Sequence, residues 1–183
     1  ESGPLSPGAV HATLRQALPE EGIVVLESPT STLALRNRMR ISRPGSYFFC
    51  AGGGLGYGLS AALGVQLAQP DRPVVAVLGE GSAQYAISGL WTAVAYRLPV
   101  TFLIVRNEEY GILKWFADIE QVTGAPGLDL PKLETHAIAQ GYGVPSTRVR
   151  SRDELRAALD EAIGDQDGPR LVEVDVQPGM ALF

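Results

Sequence analysis

Short, continuously apolar runs separated by longer stretches of helical character constrain this chain more than any other feature. The runs are Ile23-Val24-Val25-Leu26, Val74-Val75-Ala76-Val77-Leu78, Val100-Thr101-Phe102-Leu103-Ile104-Val105, the shorter Thr147-Arg148-Val149, and Leu171-Val172-Glu173-Val174. A strand with one wet face alternates apolar and polar residues. Runs without that alternation fit a parallel sheet covered on both faces. The Val74 and Val100 runs are the most apolar and are expected at the centre. The intervening segments predict helices over Pro7 to Leu18, Ser31 to Met39, Gly56 to Ala68, Ser82 to Tyr96, Leu133 to Gln140 and Asp153 to Ile163. Ser6 followed by Pro7 is a helix start with a capping hydroxyl and a pre-set φ, and Ser151 introduces the last helix. With no internal repeat, low-complexity tract or long linker, residues 1–183 read as one α/β domain: a doubly wound, mostly parallel sheet with helices on both faces.

Composition removes several function classes. The 15 Lys+Arg against 20 Asp+Glu leave a net charge of −5, the wrong sign for a nucleic-acid partner whose phosphates need a basic face. A single cysteine, Cys50, cannot form an internal disulfide or a multi-cysteine zinc site, and it suits a reducing compartment, so a cytoplasmic location is expected. No apolar run reaches the ~20 residues a membrane-spanning helix needs, and no secretory leader pattern opens the chain. The start Glu1-Ser2-Gly3, with methionine only at Met39 and Met180, leads us to expect a piece of a longer multi-domain chain.

In a doubly wound sheet, ligands bind beyond the carboxyl ends of the strands, so the residues after each apolar run carry the functional information. These are the hydroxyl-rich turn Glu27-Ser28-Pro29-Thr30-Ser31-Thr32, the tetrapeptide Gly79-Glu80-Gly81-Ser82, and Arg106-Asn107-Glu108-Glu109-Tyr110-Gly111. A glycine loop, Ala51-Gly52-Gly53-Gly54-Leu55-Gly56-Tyr57-Gly58, also leads into a helix. Glycines between strand and helix let a phosphate approach the free N–H groups of the helix start. Glu80 would repel that phosphate unless a cation lies between them, and Mg²⁺ takes carboxylate and amide oxygens of the kind Glu80 and Asn107 offer. Taken alone, Gly-x-Gly-Ser also fits a tight strand-to-helix turn with serine as cap. The glycine loop does not satisfy G-x-G-x-x-G in register and follows no clear Val/Ile strand. G-x-x-x-x-G-K-[ST] and G-x-S-x-G are absent, which disfavours dinucleotide binding, a P-loop and a serine hydrolase. His11 and His136 fall in predicted helices away from the strand ends, without metal-ligand spacing, and read as surface or packing residues.

Gly79-Glu80-Gly81-Ser82, with Asn107 lying 26 positions beyond Gly81, resembles the Gly-Asp-Gly and Asn-Asn motif of thiamine diphosphate enzymes. The likeness extends from about Pro7 to Val176 and is strongest over Pro44 to Gly56, Gly64 to Ala68 and Tyr110 to Phe116. There the chain is similar to the C-terminal cofactor domain of benzoylformate decarboxylase-like enzymes; acetolactate synthases share the plan but match less. The resemblance implies thiamine diphosphate and Mg²⁺ as cofactors. It implies Glu80, Asn107 and the main-chain carbonyl of Glu109 as metal ligands, and Gly81, Ser82, Thr30 and Tyr110 in cofactor binding. It also implies that the Gly53 carbonyl meets the aminopyrimidine and that Leu55 supports the bent cofactor. Phe49, Cys50, Ile112, Leu113 and Phe116 become an apolar wall for an aryl group, with core packing as the other reading for each. The implied activity is decarboxylation of a small-molecule 2-oxo acid by a homo-oligomer, a carbon-carbon lyase. No catalytic residue is expected in this chain, because the family's activating glutamate belongs to a separate domain, supplied by missing N-terminal domains or a second subunit. The isolated chain is expected to be inactive.

Three positions depart from the family pattern. Glu80 replaces the usual Asp and is one methylene longer, where Mg²⁺ asks for near-octahedral geometry at about 2.0–2.1 Å. Arg106 replaces the first Asn, placing a cation near a metal site or within reach of a phosphate. Glu108-Glu109 replaces Gly-Thr, removing a glycine from a segment that must present a carbonyl. These departures keep open a degenerate, non-catalytic cofactor module, alongside the matching domain of an acetolactate synthase-like enzyme.

Overall fold

A computed structural model describes residues 3–165 and 167–181. Six strands form one sheet, β1 (Ile23–Glu27), β2 (Tyr47–Phe49), β3 (Val74–Gly79), β4 (Val100–Arg106), β5 (Ser146–Val149) and β6 (Arg170–Asp175), in the order β2-β1-β3-β4-β6-β5. All five pairings are parallel. The two most apolar runs are the central pair β3 and β4, as the absence of polar alternation requires.

Successive residues of a strand point to opposite faces, so each strand supplies two cores. Val25, Ala76, Leu78, Phe102 and Ile104 pack with Leu59 and Leu63 of α3 (Tyr57–Ala68) and with Leu90 of α5 (Gly89–Ala95). Val24, Val75, Val77, Leu103 and Val174 pack on the other face with Val10 and Leu14 of α1 (Pro7–Ala17) and Leu35 of α2 (Thr32–Arg36). Leu155 and Leu159 of α8 (Arg152–Gly164) complete that second cluster. Ser6 caps α1 by accepting from the Ala9 N–H at 3.2 Å, and Ser151 caps α8 by accepting from Glu154.

Several elements differ from expectation for identifiable reasons. β2 was not foreseen: it is three residues long, aromatic, and lies at the sheet edge, so it carries no periodic signal. The glycine loop therefore does follow a strand. The helix expected over Ser31 to Met39 is shorter, with Pro29–Ser31 forming a 3₁₀ turn ahead of α2. The long helix expected over Ser82 to Tyr96 is two pieces, α4 (Glu80–Gln84) and α5, joined through tight bonds such as Gly89 N–H to the Ala86 carbonyl at 2.8 Å. A Cβ on Gly89 would lie 2.5 Å from Leu59 Cδ2, so glycine at the start of α5 permits its close approach to α3. The remaining helices are α6 (Gly111–Ile119), which was not expected although Ile112, Trp115, Phe116 and Ile119 recur at helical spacing, and α7 (Thr135–Gly141).

No helix among the described residues is long and apolar enough to cross a membrane.

Candidate cofactor and metal site

The chain leaves β1 to form β2 on one side and then crosses to β3 on the other, so a crevice opens beyond the carboxyl ends of β1 and β3, where open α/β sheets bind ligands. The turn after β1 is braced from beneath. Ser28 Oγ and Ser31 Oγ are 2.9 Å apart, and Ser31 Oγ is 3.0 Å from His11 Nε2 on α1. His11 is thus not remote from the strand ends. It is fully buried, and burial, together with the Arg38 charge, lowers its pKa to about 4 against the partial offset of the Ser31 bond.

After β3 the chain enters α4 directly. Glu80 is 2% exposed, and its Oε1 accepts from the N–H groups of Asn107 at 3.1 Å and Glu108 at 2.6 Å. Burial nevertheless pushes its carboxyl up to about 7, the amide bonds and Arg106 offsetting only part of the cost. Because α4 has only five residues, its macrodipole is small, and what it presents to an anion is the local set of amides.

From Arg106, the last residue of β4, to Glu109 lie most of the departures from the motif that the sequence resembles. Arg106 turns away from Glu80: Nη1 donates to Asp175 Oδ1 at 3.0 Å, Nε donates to the Leu133 carbonyl at 3.3 Å, and Nη2 pairs closely with Glu108. Its charge is therefore matched by carboxylates outside the crevice. Glu108 takes φ +61°, the left-handed conformation that favours the glycine usual at this position. Asn107 Oδ1 accepts from Glu109 N–H at 3.3 Å. The Glu109 carboxylate accepts from Lys114 Nζ at 2.5 Å and from Gly179 N–H at 2.7 Å. Tyr110 stands at the start of α6 with its ring over α4, so that a Cβ on Gly81 would lie 2.5 Å from Tyr110 Cε1.

These turns enclose a cavity of about 360 Å³. It is lined by Thr30, Gly53, Leu55, Glu80, Gly81, Ser82, Asn107, Glu109 and Tyr110, and by Ile112, Leu113 and Phe116 of α6. Phe49 and Cys50 lie instead on an adjoining cleft of about 150 Å³ that shares Ser28, Pro29, Gly53 and Leu55 with the main cavity. Phe49 is 45% exposed, with the Arg36 guanidinium 4.7 Å from its ring centroid. Within the hydroxyl-rich turn the sequence singled out Thr30 alone, leaving Glu27, Ser28 and Ser31 without individual roles, and His11, read as a surface or packing residue, reaches that turn only through the packing of α1.

His136 enters a second constellation. Ligand atoms of Glu134, His136 and Glu173 lie within 4.8 Å of one another, a grouping the sequence spacing does not reveal. Arg148 approaches Glu134 at 3.1 Å and Glu173 at 3.6 Å, so a cation already occupies this carboxylate pair.

Residues 30–174 match the family described as thiamine pyrophosphate enzyme, C-terminal TPP binding domain. The chain belongs to this family. It is 48% identical over 177 residues to a benzoylformate decarboxylase of Pseudomonas aeruginosa, covering 97% of this chain and 33% of that protein. Among solved structures, a thiamine diphosphate-dependent 4-hydroxybenzoylformate decarboxylase of Rhodococcus jostii superposes with TM-score 0.94 at 40% identity, covering 99% of this chain and 34% of the other. An acetolactate synthase isozyme 3 large subunit of Escherichia coli is 36% identical over 125 residues, 68% of this chain and 22% of that protein. The chain therefore spans about a third of the length of the two decarboxylases and about a fifth of the acetolactate synthase. For a thiamine diphosphate-binding domain the crevice is chemically apt. A buried carboxylate, an amide oxygen and a main-chain carbonyl are all hard oxygen donors of the kind Mg²⁺ takes. The part of Glu80's burial cost that its amide bonds and Arg106 leave unmet is what a neighbouring cation would relieve. Gly79 and Gly81 bring backbone to the cavity wall without side chains in the way.

Proposed function

We propose that this chain is the diphosphate- and Mg²⁺-binding part of a thiamine diphosphate-dependent 2-oxo acid decarboxylase of the benzoylformate decarboxylase type. The observation that carries this reading is the convergence of Thr30, Glu80, Ser82 and Asn107 on one cavity whose far wall is the apolar face of α6. In this reading Glu80, the Asn107 side chain and the Glu109 carbonyl hold Mg²⁺, and Gly81, Ser82 and Thr30 donate to the diphosphate, with Tyr110 closing over Gly81. Gly53 and Leu55 orient the thiamine half. Bound there, the cofactor supplies an electron sink for breaking the bond between a carboxylate and a 2-oxo carbon. Ile112, Leu113 and Phe116 exclude water and offer apolar area to an aryl substituent, and Phe49 and Cys50 extend that surface from the adjoining cleft.

The activating carboxylate and the proton-handling groups come, in this proposal, from further domains or from a second subunit of a homo-oligomer, and the 183 residues are one domain of a longer protein. Two assays test this. The complete protein, supplied with thiamine diphosphate and Mg²⁺, should release CO₂ from benzoylformate, and failure to turn over any aryl or alkyl 2-oxo acid would favour a non-catalytic module. The 183-residue chain alone should give no measurable turnover, so decarboxylation by this chain would refute the shared-site proposal.

A further inference from the structure

The main chain between β2 and α3 poses a mechanical problem. It must present Gly53 and Leu55 to the cavity, yet Gly52, Gly53 and Gly54 have nothing within 4 Å of where a Cβ would stand, and Gly53 and Gly56 sit at φ +71° and +97°. So glycine-rich a segment loses much conformational entropy when fixed and has few neighbours to hold it. The helix that follows has no cap of its own, since its N-cap is Gly56. Glu27, the last residue of β1, supplies the missing contact from 31 positions away. Its Oε1 accepts from Tyr57 N–H at 3.2 Å and its Oε2 from Gly58 N–H at 3.0 Å. Among the described residues, no other side chain bonds to the backbone of residues 52–58. The fit is close: a Cβ on Gly58 would lie 2.6 Å from Glu27 Cβ, so glycine there lets the carboxylate reach the first turn of α3. The negative charge also lies at the positive end of that helix.

We infer that Glu27 is a positioning residue that ties the turn after β1 to the start of α3 and thereby holds the glycine loop, with Gly53 and Leu55, against the thiamine half of the cofactor. The inference rests on the cofactor reading given above. Glu27 heads the same turn that carries Thr30, so one side chain fixes the relative placement of the diphosphate turn and the aminopyrimidine loop. Bonded to neither Gly53 nor Leu55, it acts on them through the end of the loop at Tyr57 and Gly58. Its removal should therefore weaken recognition of the thiamine portion and leave that of the diphosphate intact.

The test compares wild type with Glu27→Gln and Glu27→Ala in the complete protein, using two probes, thiamine diphosphate with Mg²⁺ and inorganic diphosphate with Mg²⁺, titrated calorimetrically. Losing amide bonds to a charged group should weaken thiamine diphosphate binding about tenfold or more, with inorganic diphosphate changed by less than about twofold. In hydrogen exchange, the Tyr57 and Gly58 amides should exchange at least about tenfold faster while those of β3 keep their protection, a readout that needs no ligand and registers whether a variant has unfolded. Equal weakening of both probes, or unchanged exchange at Tyr57 and Gly58, would overturn the positioning role. Wild type binding neither probe would instead overturn the cofactor reading on which it rests.

Discussion

Protonation of His11 should destabilise this fold by a predictable amount. The ring is fully buried on α1, bonded to Ser31, and faces the charge of Arg38, and these surroundings set its pKa at about 4 instead of 6.5. The unfolded chain binds a proton at His11 below about pH 6.5, whereas the folded chain resists until about pH 4, so stability falls as pH drops through that window. At about 1.4 kcal/mol for each pH unit, the gap corresponds to about 3 kcal/mol lost between pH 7.5 and pH 4. Glu80 works in the opposite direction: its carboxyl, pushed up to about 7, stabilises the fold at low pH and loses that contribution as pH rises through 4.5 to 7. Glu27 and Glu173, both raised by burial, have the same sign as Glu80. A wild-type curve therefore mixes opposing contributions, and the informative quantity is the difference from His11→Gln, which keeps an amide donor toward Ser31 but does not titrate. In urea denaturation, wild type should be the more stable protein at pH 7.5, and its margin over the variant should shrink or reverse by about 3 kcal/mol at pH 4. A margin that does not change with pH would refute the assignment of His11 as a buried neutral ring.

Two glycines give further predictions. Gly58→Ala places a Cβ 2.6 Å from Glu27 Cβ and 2.7 Å from Leu78 Cδ2, and thermal or urea unfolding should register a loss of about 1–3 kcal/mol. Gly81→Ala drives a methyl into the Tyr110 ring and Leu130, so it should displace α4 from α6 and lower thiamine diphosphate affinity by about tenfold in calorimetry, with near-unchanged circular dichroism.

How much of this could be read from the sequence follows from where the signals reside. The core strands declare themselves because burial on both faces leaves Val, Ile and Leu no polar alternation, and the residues just past β1, β3 and β4 are then the ones at the crevice. That is why the turns that carry Thr30, Glu80 and Asn107 could be placed at one edge of the sheet from the sequence, whereas the choice of Thr30 within its turn came from the family resemblance. β2 escaped because a three-residue edge strand is too short for periodicity, and the break between α4 and α5 because it depends on how Gly89 packs on Leu59, a tertiary contact. The direction of Arg106 was equally hidden: the sequence puts a cation beside the expected metal ligands, and only the fold brings Asp175, from β6, near enough to turn it away. Glu27 and His11 act across 31 and 20 positions of sequence, and no local pattern encodes such pairs.

In the proposed site Glu80 and Asn107 hold a divalent cation that joins this chain to a diphosphate. The measurement that tests this is the affinity of the complete protein for thiamine diphosphate as Mg²⁺ is varied from chelated to saturating, in wild type and in Glu80→Gln. Wild type should bind saturably and more tightly as Mg²⁺ rises, and the variant should lose at least about a tenfold share of that Mg²⁺ dependence. Binding of equal strength under chelation, or a Mg²⁺ dependence that survives the loss of the Glu80 charge, would contradict the proposed site.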